Sequence, residues 1–384
     1  MVDVMIDEFV VFSDHHAHTF PFGAKEEAYE NYFVNSRLKA SYDVVAEIQK
    51  YVASNNIKKV FFCGDLFHTR EAVPTVALNL MHRAISSLAS VARVWMMPGN
   101  HDYADRDGKI HSLEVFKRID GCRVIDWNTP SDTPGLAPRT LRMYGLRKDA
   151  VTYSFVPYTD DRQQAAECIA TAANSTLPNE PHILFAHLGI QGAKVGSDYV
   201  LVSDNDVSVS DIPWQKFAGC FFGHYHEHQQ LFKNGWYVGA THQHNWGDAN
   251  TKRGFLHVKV YLDHVDFDFV ETKSAPKFIL SKEGSQTKPR PMDFVRILTS
   301  KKHTPAEIDS LRQSSGAENC EVIYMPPEVQ AATLELSEEN LSPVAMVPAW
   351  VKANEAWVKS HLPGIEKSDL VTYGKTLLVV ANAE

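Results

Sequence analysis

The sequence predicts an α/β sandwich with a smaller domain appended, and three observations carry that expectation. Short apolar runs alternate with amphipathic helical patterns through the first half, as in strands joined by crossover helices. Each of these strands ends in a polar cluster, where open α/β sheets gather their ligands. The length of 384 residues exceeds one ordinary domain and suits a core of about 250 residues plus a further unit.

Residues 10–13 read as the first strand, closed by Asp14, His15 and His16. Residues 37–54 place Leu38, Tyr42, Val45, Ile48 and Val52 at helical spacing, and residues 59–63 form the next buried strand, closed by Gly64 and Asp65. A helix over 75–89 and a strand over 93–97 follow, the strand running into Pro98, Gly99, Asn100, His101 and Asp102. Apolar runs at 182–186 and 218–222 end in His187 and in Gly223-His224-Tyr225-His226. Five strand ends thus converge on one site. From Gly254 the period changes to two, with Leu256, Val258 and Val260 on one face, a turn near Asp263 and His264, and Val265, Phe267 and Phe269 returning. This is a hairpin that closes the core domain.

Hydrophobic residues at 44% and charged residues at 22% exclude disordered, collagen-like and coiled-coil classes. A net charge of −9 counts against gripping nucleic acid by bulk electrostatics, while leaving room for a local basic surface. The five cysteines are odd in number, scattered and never in C-x-x-C spacing, so they predict neither a disulfide framework nor a thiolate zinc site. A reducing, cytoplasmic setting follows. Residues 1–8 are acidic where a signal peptide is basic, and no run approaches the roughly 18 apolar residues of a membrane span.

Between Lys273 and Lys302 eight basic residues face two acidic ones. This stretch reads either as a phosphate-tracking path for DNA or as a solvated linker. Strand, helix and strand patterns at 294–298, 305–312 and 321–324 predict a small second domain. A helix over 348–362 carries Trp350, Val351, Trp357, Val358 and Leu362 as an apolar stripe, suited to packing on its own core or to docking on a partner.

The polar clusters together read D-x-H (Asp14, His16), G-D-L-F-H (64–68), G-N-H-D (99–102), a lone His187 and G-H-x-H (223–226). Carboxylate, imidazole and amide donors without thiolate suit manganese, iron or zinc, and a metal pair about 3.5–4 Å apart needs this inventory. In this order the clusters resemble the calcineurin-like metallophosphoesterase superfamily, over residues 10–270. The resemblance implies a two-layer β-sandwich flanked by helices with a small C-terminal α+β cap. It makes Asp14, His16 and His226 ligands of one metal, Asn100, His187 and His224 ligands of the other, and Asp65 the bridge. It further implies two divalent ions, Mn2+ first and Fe2+, Zn2+ or Mg2+ as alternatives, with a bridging hydroxide attacking phosphorus. His101 would protonate the leaving oxygen, with Asp102 as its orienting partner.

Within the superfamily, G-D-L-F-H looks like the SbcD-type DNA double-strand-break repair nucleases of bacteria and phages. His68 then takes a secondary catalytic or phosphate-contacting role. The segment with His242, His244, Trp246, Gly247 and Asp248 resembles the block after G-H-x-H in those members. Residue by residue, His15, His18, His242 and His244 read as outer-shell or surface groups rather than ligands. The domains expected are a catalytic domain over 1–272, a basic linker over 273–291, a capping domain over 292–345 and a C-terminal helical segment over 346–384. The resemblance implies DNA as partner, and the basic stretch offers Lys288, Arg290, Arg296, Lys301 and Lys302 as its contacts. It also implies an SbcC-type coiled-coil ATPase docked on the C-terminal segment, room for a homodimer, no membrane, and a bacterial or phage-infected cytoplasm. Two other functions compete with this exonuclease and endonuclease: a phosphodiesterase or phosphatase acting on nucleotides or phosphoproteins, and a scaffold with a vestigial metal site.

Overall fold

The computed structural model describes residues 4–105, 108–146, 149–195, 199–200, 205–285, 288–325, 347–348, 350–352, 354–355, 358 and 365–381. The expected α/β sandwich is present as two six-stranded sheets. In the first, Asp7–Phe12, Lys59–Phe62, Arg93–Met96 and Cys122–Val124 run parallel, and the Gly254–Val260 and Val265–Glu271 hairpin pairs antiparallel beside Asp7–Phe12. In the second, Ala150–Val156, His182–His187, Gly219–Gly223 and Gly235–Tyr237 are parallel, with antiparallel edges at Thr140–Tyr144 and Gln229–Phe232.

The period-two alternation of a strand sorts each apolar side chain to one of two cores. Phe9, Val11 and Phe61 face Tyr153, Phe185 and Phe221 of the other sheet, and the Phe61 and Phe185 rings stack at 4.4 Å. Val10, Phe12, Val60 and Phe62 face the helices Ser36–Ser54 and Thr75–Ala89. Asn35 starts the first of these helices by accepting the backbone N–H groups of Arg37 and Leu38. On the opposite side, Leu184, Ala186 and Phe222 pack with Ala165 and Ile169 of the helix Arg162–Ala173.

The first strand begins three residues before its expected start. Asp7 looks unlike a strand residue, yet its backbone pairs with Val260 and its buried carboxylate accepts from Lys59 Nζ and Tyr153 Oη, each at 2.5 Å. Solvation is thereby replaced by a full set of donors.

The chain divides into two compact units, one of Met1–Leu280, Thr287–Val295 and Ser315–Cys320, the other of Ser281–Gln286, Arg296–Ser314 and Glu321–Glu384. The expected strand, helix and strand are found as Phe294–Thr299, Pro305–Ser315 and Asn319–Tyr324. The stretch expected to be a linker is instead partly a strand, Phe278–Lys282, because Phe278 is buried and aligned with Phe294, their rings 4.7 Å apart. A further helix spans Lys367–Ala381. The stripe at 348–362 lies partly outside the described residues, Trp357 and Leu362 among them; Val351 and Val358 are buried and Trp350 is exposed. No helix among the described residues is long and apolar enough to cross a membrane.

His182 shows how buried imidazoles couple this fold to pH. It sits between Ser154 Oγ at 2.8 Å and Thr176 Oγ1 at 2.9 Å, and burial lowers its pKa from 6.5 to about 3. The unfolded chain therefore binds a proton there below pH 6.5 while the folded chain does not, so this contribution is present above pH 6.5 and lost as pH falls toward 3. In urea titrations across that window, His182→Asn should flatten the fall in stability by about 1.4 kcal/mol per pH unit. An unchanged slope would show that His182 is not the group responsible.

Candidate metal centre

The loops that follow the strands of both sheets build one cluster at their carboxyl ends. The first two loops are zipped together, the N–H groups of Asp14, His15, His16 and Ala17 donating to the carbonyls of Gly64, Asp65, Asp65 and Leu66. Asp14 and His16 at φ +49°, Asp65 at +62° and His224 at +107° all take left-handed backbone. Left-handed backbone is uncommon for non-glycine residues, and here four of them gather in one cluster. Gly64, at φ +97°, also leaves no room for a side chain: a Cβ there would stand 2.3 Å from His187 Nδ1.

Asp65 lies at the middle of the cluster. Its Oδ2 is 3.6 Å from His16 Nε2 and 3.5 Å from His187 Nε2, while its Oδ1 accepts the His101 N–H at 2.8 Å. On one side Asp14, His16 and His226 offer ligand atoms within 4.8 Å of one another, with His16 Nε2 and His226 Nε2 at 3.1 Å. On the other side Asn100 Oδ1 is 3.0 Å from His187 Nε2 and 2.9 Å from His224 Nδ1. Asp14 also joins the group through its contact with the His224 N–H at 3.0 Å, and its buried Oδ2 has no hydrogen-bond partner among the described residues. All seven residues expected to be ligands are therefore brought together.

Tautomers show that this donor set fits cations. His187 Nδ1 donates to Cys63 O at 2.6 Å, which leaves the Nε2 lone pair of the neutral ring facing Asp65 Oδ2 and Asn100 Oδ1. The Asn100 oxygen likewise faces acceptors; reversing the amide would turn its NH2 toward them and its oxygen toward Arg70 Nη2 at 3.0 Å. Acceptors that converge on one another are satisfied by a cation between them.

The electrostatics agree. Burial lowers His16 well below 6.5 and His224 to about 3, keeping both rings neutral ligands. Burial raises Asp14. Burial also opposes charge on both Asp65 and His187, yet their mutual attraction prevails, holding Asp65 below its usual range and His187 up at about 9. A proton on His187 here meets the demand for positive charge that a metal ion meets when bound.

His101 lies beside this cluster, its ring 4.8 Å from that of His16 and stacked at 5.6 Å on that of His68. Its orienting partner differs from the one expected. His101 Nδ1 donates to His68 O at 2.6 Å, whereas Asp102 accepts the backbone N–H groups of Asp65 at 2.8 Å, Leu66 at 3.0 Å and Gly99 at 3.0 Å. Asp102 thus fixes the loops of Asp65 and Gly99 to each other instead of aiming His101. Burial, then the Asp65 charge, raises its carboxyl to about 7. Asp102→Ala should cost about 3 kcal/mol or more of stability, since it leaves several buried N–H groups unpaired; a variant as stable as wild type in urea would refute this role.

The other histidines behave as outer groups. His15 Nδ1 meets Thr241 Oγ1 at 2.8 Å, His242 Nε2 meets Ser41 Oγ at 3.2 Å, and His244 Nε2 donates to Asp14 O at 3.1 Å. A separate group, His111, Glu114 and Asp126, already holds Lys117, whose Nζ is 2.7 Å from both carboxylates. Arg70 beside Asn100, and Tyr158 stacked on His224 at 5.8 Å, were not singled out by sequence. Only the position of Arg70 just after G-D-L-F-H signals it.

Of the expected DNA-contacting set, Arg290 bonds to Asp293 Oδ1 at 2.7 Å and Ala275 O at 2.6 Å, and Arg296 to Glu321 at 2.8 Å. Lys288, Lys301 and Lys302 are exposed, the first in one unit and the other two in the second.

The chain is similar to several known proteins. A protein of Invertebrate iridescent virus 6, provisionally named phosphoesterase 244L, is 25% identical over 190 residues, which is 48% of this chain and 58% of the viral protein. A solved structure of a dimetal phosphatase from Danio rerio aligns with 70% of this chain and 97% of its own at 8% identity, TM-score 0.39. Another, of GAP50, the anchor in the inner membrane complex of Plasmodium, covers 84% and 98% at 12% identity, TM-score 0.40. The family model described as calcineurin-like phosphoesterase matches residues 8–228, from the first strand through the G-H-x-H cluster. By that match over more than half of its length, the chain belongs to the calcineurin-like phosphoesterase family.

Proposed function

We propose that the protein is a two-metal phosphodiesterase that cleaves DNA in recombination or double-strand-break repair. The observation that carries the phosphodiesterase reading is the Asp65 carboxylate, placed between imidazoles from two sheets with Asn100 turned inward. Asp14, His16 and His226 would hold one divalent ion, Asn100, His187 and His224 the other, and Asp65 both. Such a pair, manganese in the reading the resemblance implies, would polarise phosphoryl oxygens and supply a nucleophile at neutral pH.

The chain's own part is positioning and proton transfer. The His68 carbonyl fixes Nδ1–H of His101, so a proton carried on Nε2 is the one delivered to the leaving oxygen. Arg70, whose Nη2 lies 3.0 Å from the Asn100 amide, would donate to a phosphate oxygen. DNA as substrate is supported by G-D-L-F-H, whose His68 ring stacks on His101. A coiled-coil ATPase partner belongs to the same reading.

Hydrolysis of end-labelled duplex and single-stranded DNA, beside a bis-phosphodiester dye, tests this with manganese, magnesium or chelator. DNA degradation that needs manganese and stops with chelator is expected. Dye hydrolysis with intact DNA would turn the reading to a small-substrate phosphodiesterase.

A further inference from the structure

A cavity of about 250 Å³ opens beside His16, His68, His226 and His244. Phe20, Phe22, Trp246 and Phe278 give it an aromatic lining, to which Arg37 also belongs. Arg37 comes from the first turn of the Ser36–Ser54 helix and is only 8% exposed. Its guanidinium carbon lies 4.7 Å from the Phe20 ring centre and 5.2 Å from that of Phe278, and its Nη2 donates to His244 O at 2.5 Å. Among the described residues no carboxylate pairs with it. A desolvated cation held on aromatic faces, with donors to spare, favours a flat ring carrying acceptor atoms.

The cavity lies on one particular side of the metal centre. Two of its walls, His16 and His68, are the rings that flank His101. It is therefore open on the side of the cluster where His101 stands. At this volume, below the roughly 300 Å³ of the smallest drug-sized pockets, it has room for one ring system.

We propose that the cavity of Phe20, Phe22, Trp246, Phe278 and Arg37 is a subsite that stacks the base of the leaving nucleotide, an inference that rests on the nuclease reading above. Base stacking on Trp246 and Phe20 holds the leaving residue while Arg37 donates to its acceptor edge. Specificity then comes from the presence of a base rather than from its sequence.

Paired oligonucleotides test this, identical except that the leaving residue bears a base or is an abasic tetrahydrofuran. With manganese, the wild type should cleave the base-bearing strand about tenfold faster in kcat/KM. Trp246→Leu and Phe20→Leu, which keep apolar bulk but lose the ring face, should bring that ratio toward one. Equal cleavage of both strands by the wild type would overturn the subsite and leave the nuclease standing. If no strand is cleaved while dye is hydrolysed, the nuclease reading fails, and calorimetry decides the subsite separately. Manganese-loaded protein that binds deoxynucleoside monophosphates more tightly than deoxyribose 5-phosphate, with the difference lost in Trp246→Leu, would sustain it. Equal affinities would overturn it.

Discussion

Asp65→Asn is expected to lower phosphodiester hydrolysis by about 10³-fold or more, the equivalent of several kcal/mol of lost charge stabilisation. The carboxylate sits 3.6 Å and 3.5 Å from imidazoles of both half-sites, so one substitution removes the negative charge shared by two ions. The amide is nearly the same size and retains an oxygen for the His101 N–H, so the fold should survive. Metal analysis of the purified variant, alongside circular dichroism, checks the cause. A folded variant that keeps both ions and most activity would show that Asp65 is not the bridge.

His101→Ala should slow turnover by about 10²- to 10⁴-fold while leaving metal content unchanged. None of the contacts among the seven ligands passes through the His101 side chain, whose Nδ1 is spent on the His68 carbonyl. The defect should depend on the leaving group. A nitrophenolate departs without a proton and needs His101 little, whereas a deoxyribose alkoxide needs it fully. The ratio of wild-type to variant rates should therefore be larger for DNA than for the nitrophenyl diester. Equal ratios would remove His101 from proton transfer, and loss of metal would make it a ligand support.

Much of the site was legible because metal chemistry constrains residue type and order together. Asp14, Asp65, Asn100, His187, His224 and His226 each follow a short apolar run, and strand ends are where such donors meet. What sequence could not show was which partner each polar group chooses. Asp102, next to His101, looked like its orienter, but the backbone turns it inward onto the N–H groups of residues 65, 66 and 99. Arg290 looked like a surface cation, yet Asp293 three residues on captures it. The strand at Phe278–Lys282 was hidden by its basic neighbours, since the contacts that fix it, Phe278 with Phe294, Trp246 and Arg37, are tertiary. Arg37 was not singled out by sequence at all, and only tertiary packing buries it beside His16 and His244.

The central claim is a pair of divalent ions held by seven side chains, and the most direct measurement is the stoichiometry of manganese bound after chelation and reconstitution. Elemental analysis of wild type should find two ions per chain, falling when Asp14→Ala and His187→Ala are each introduced. No bound ion in the folded wild-type protein, or a single ion unaffected by either substitution, would contradict the account.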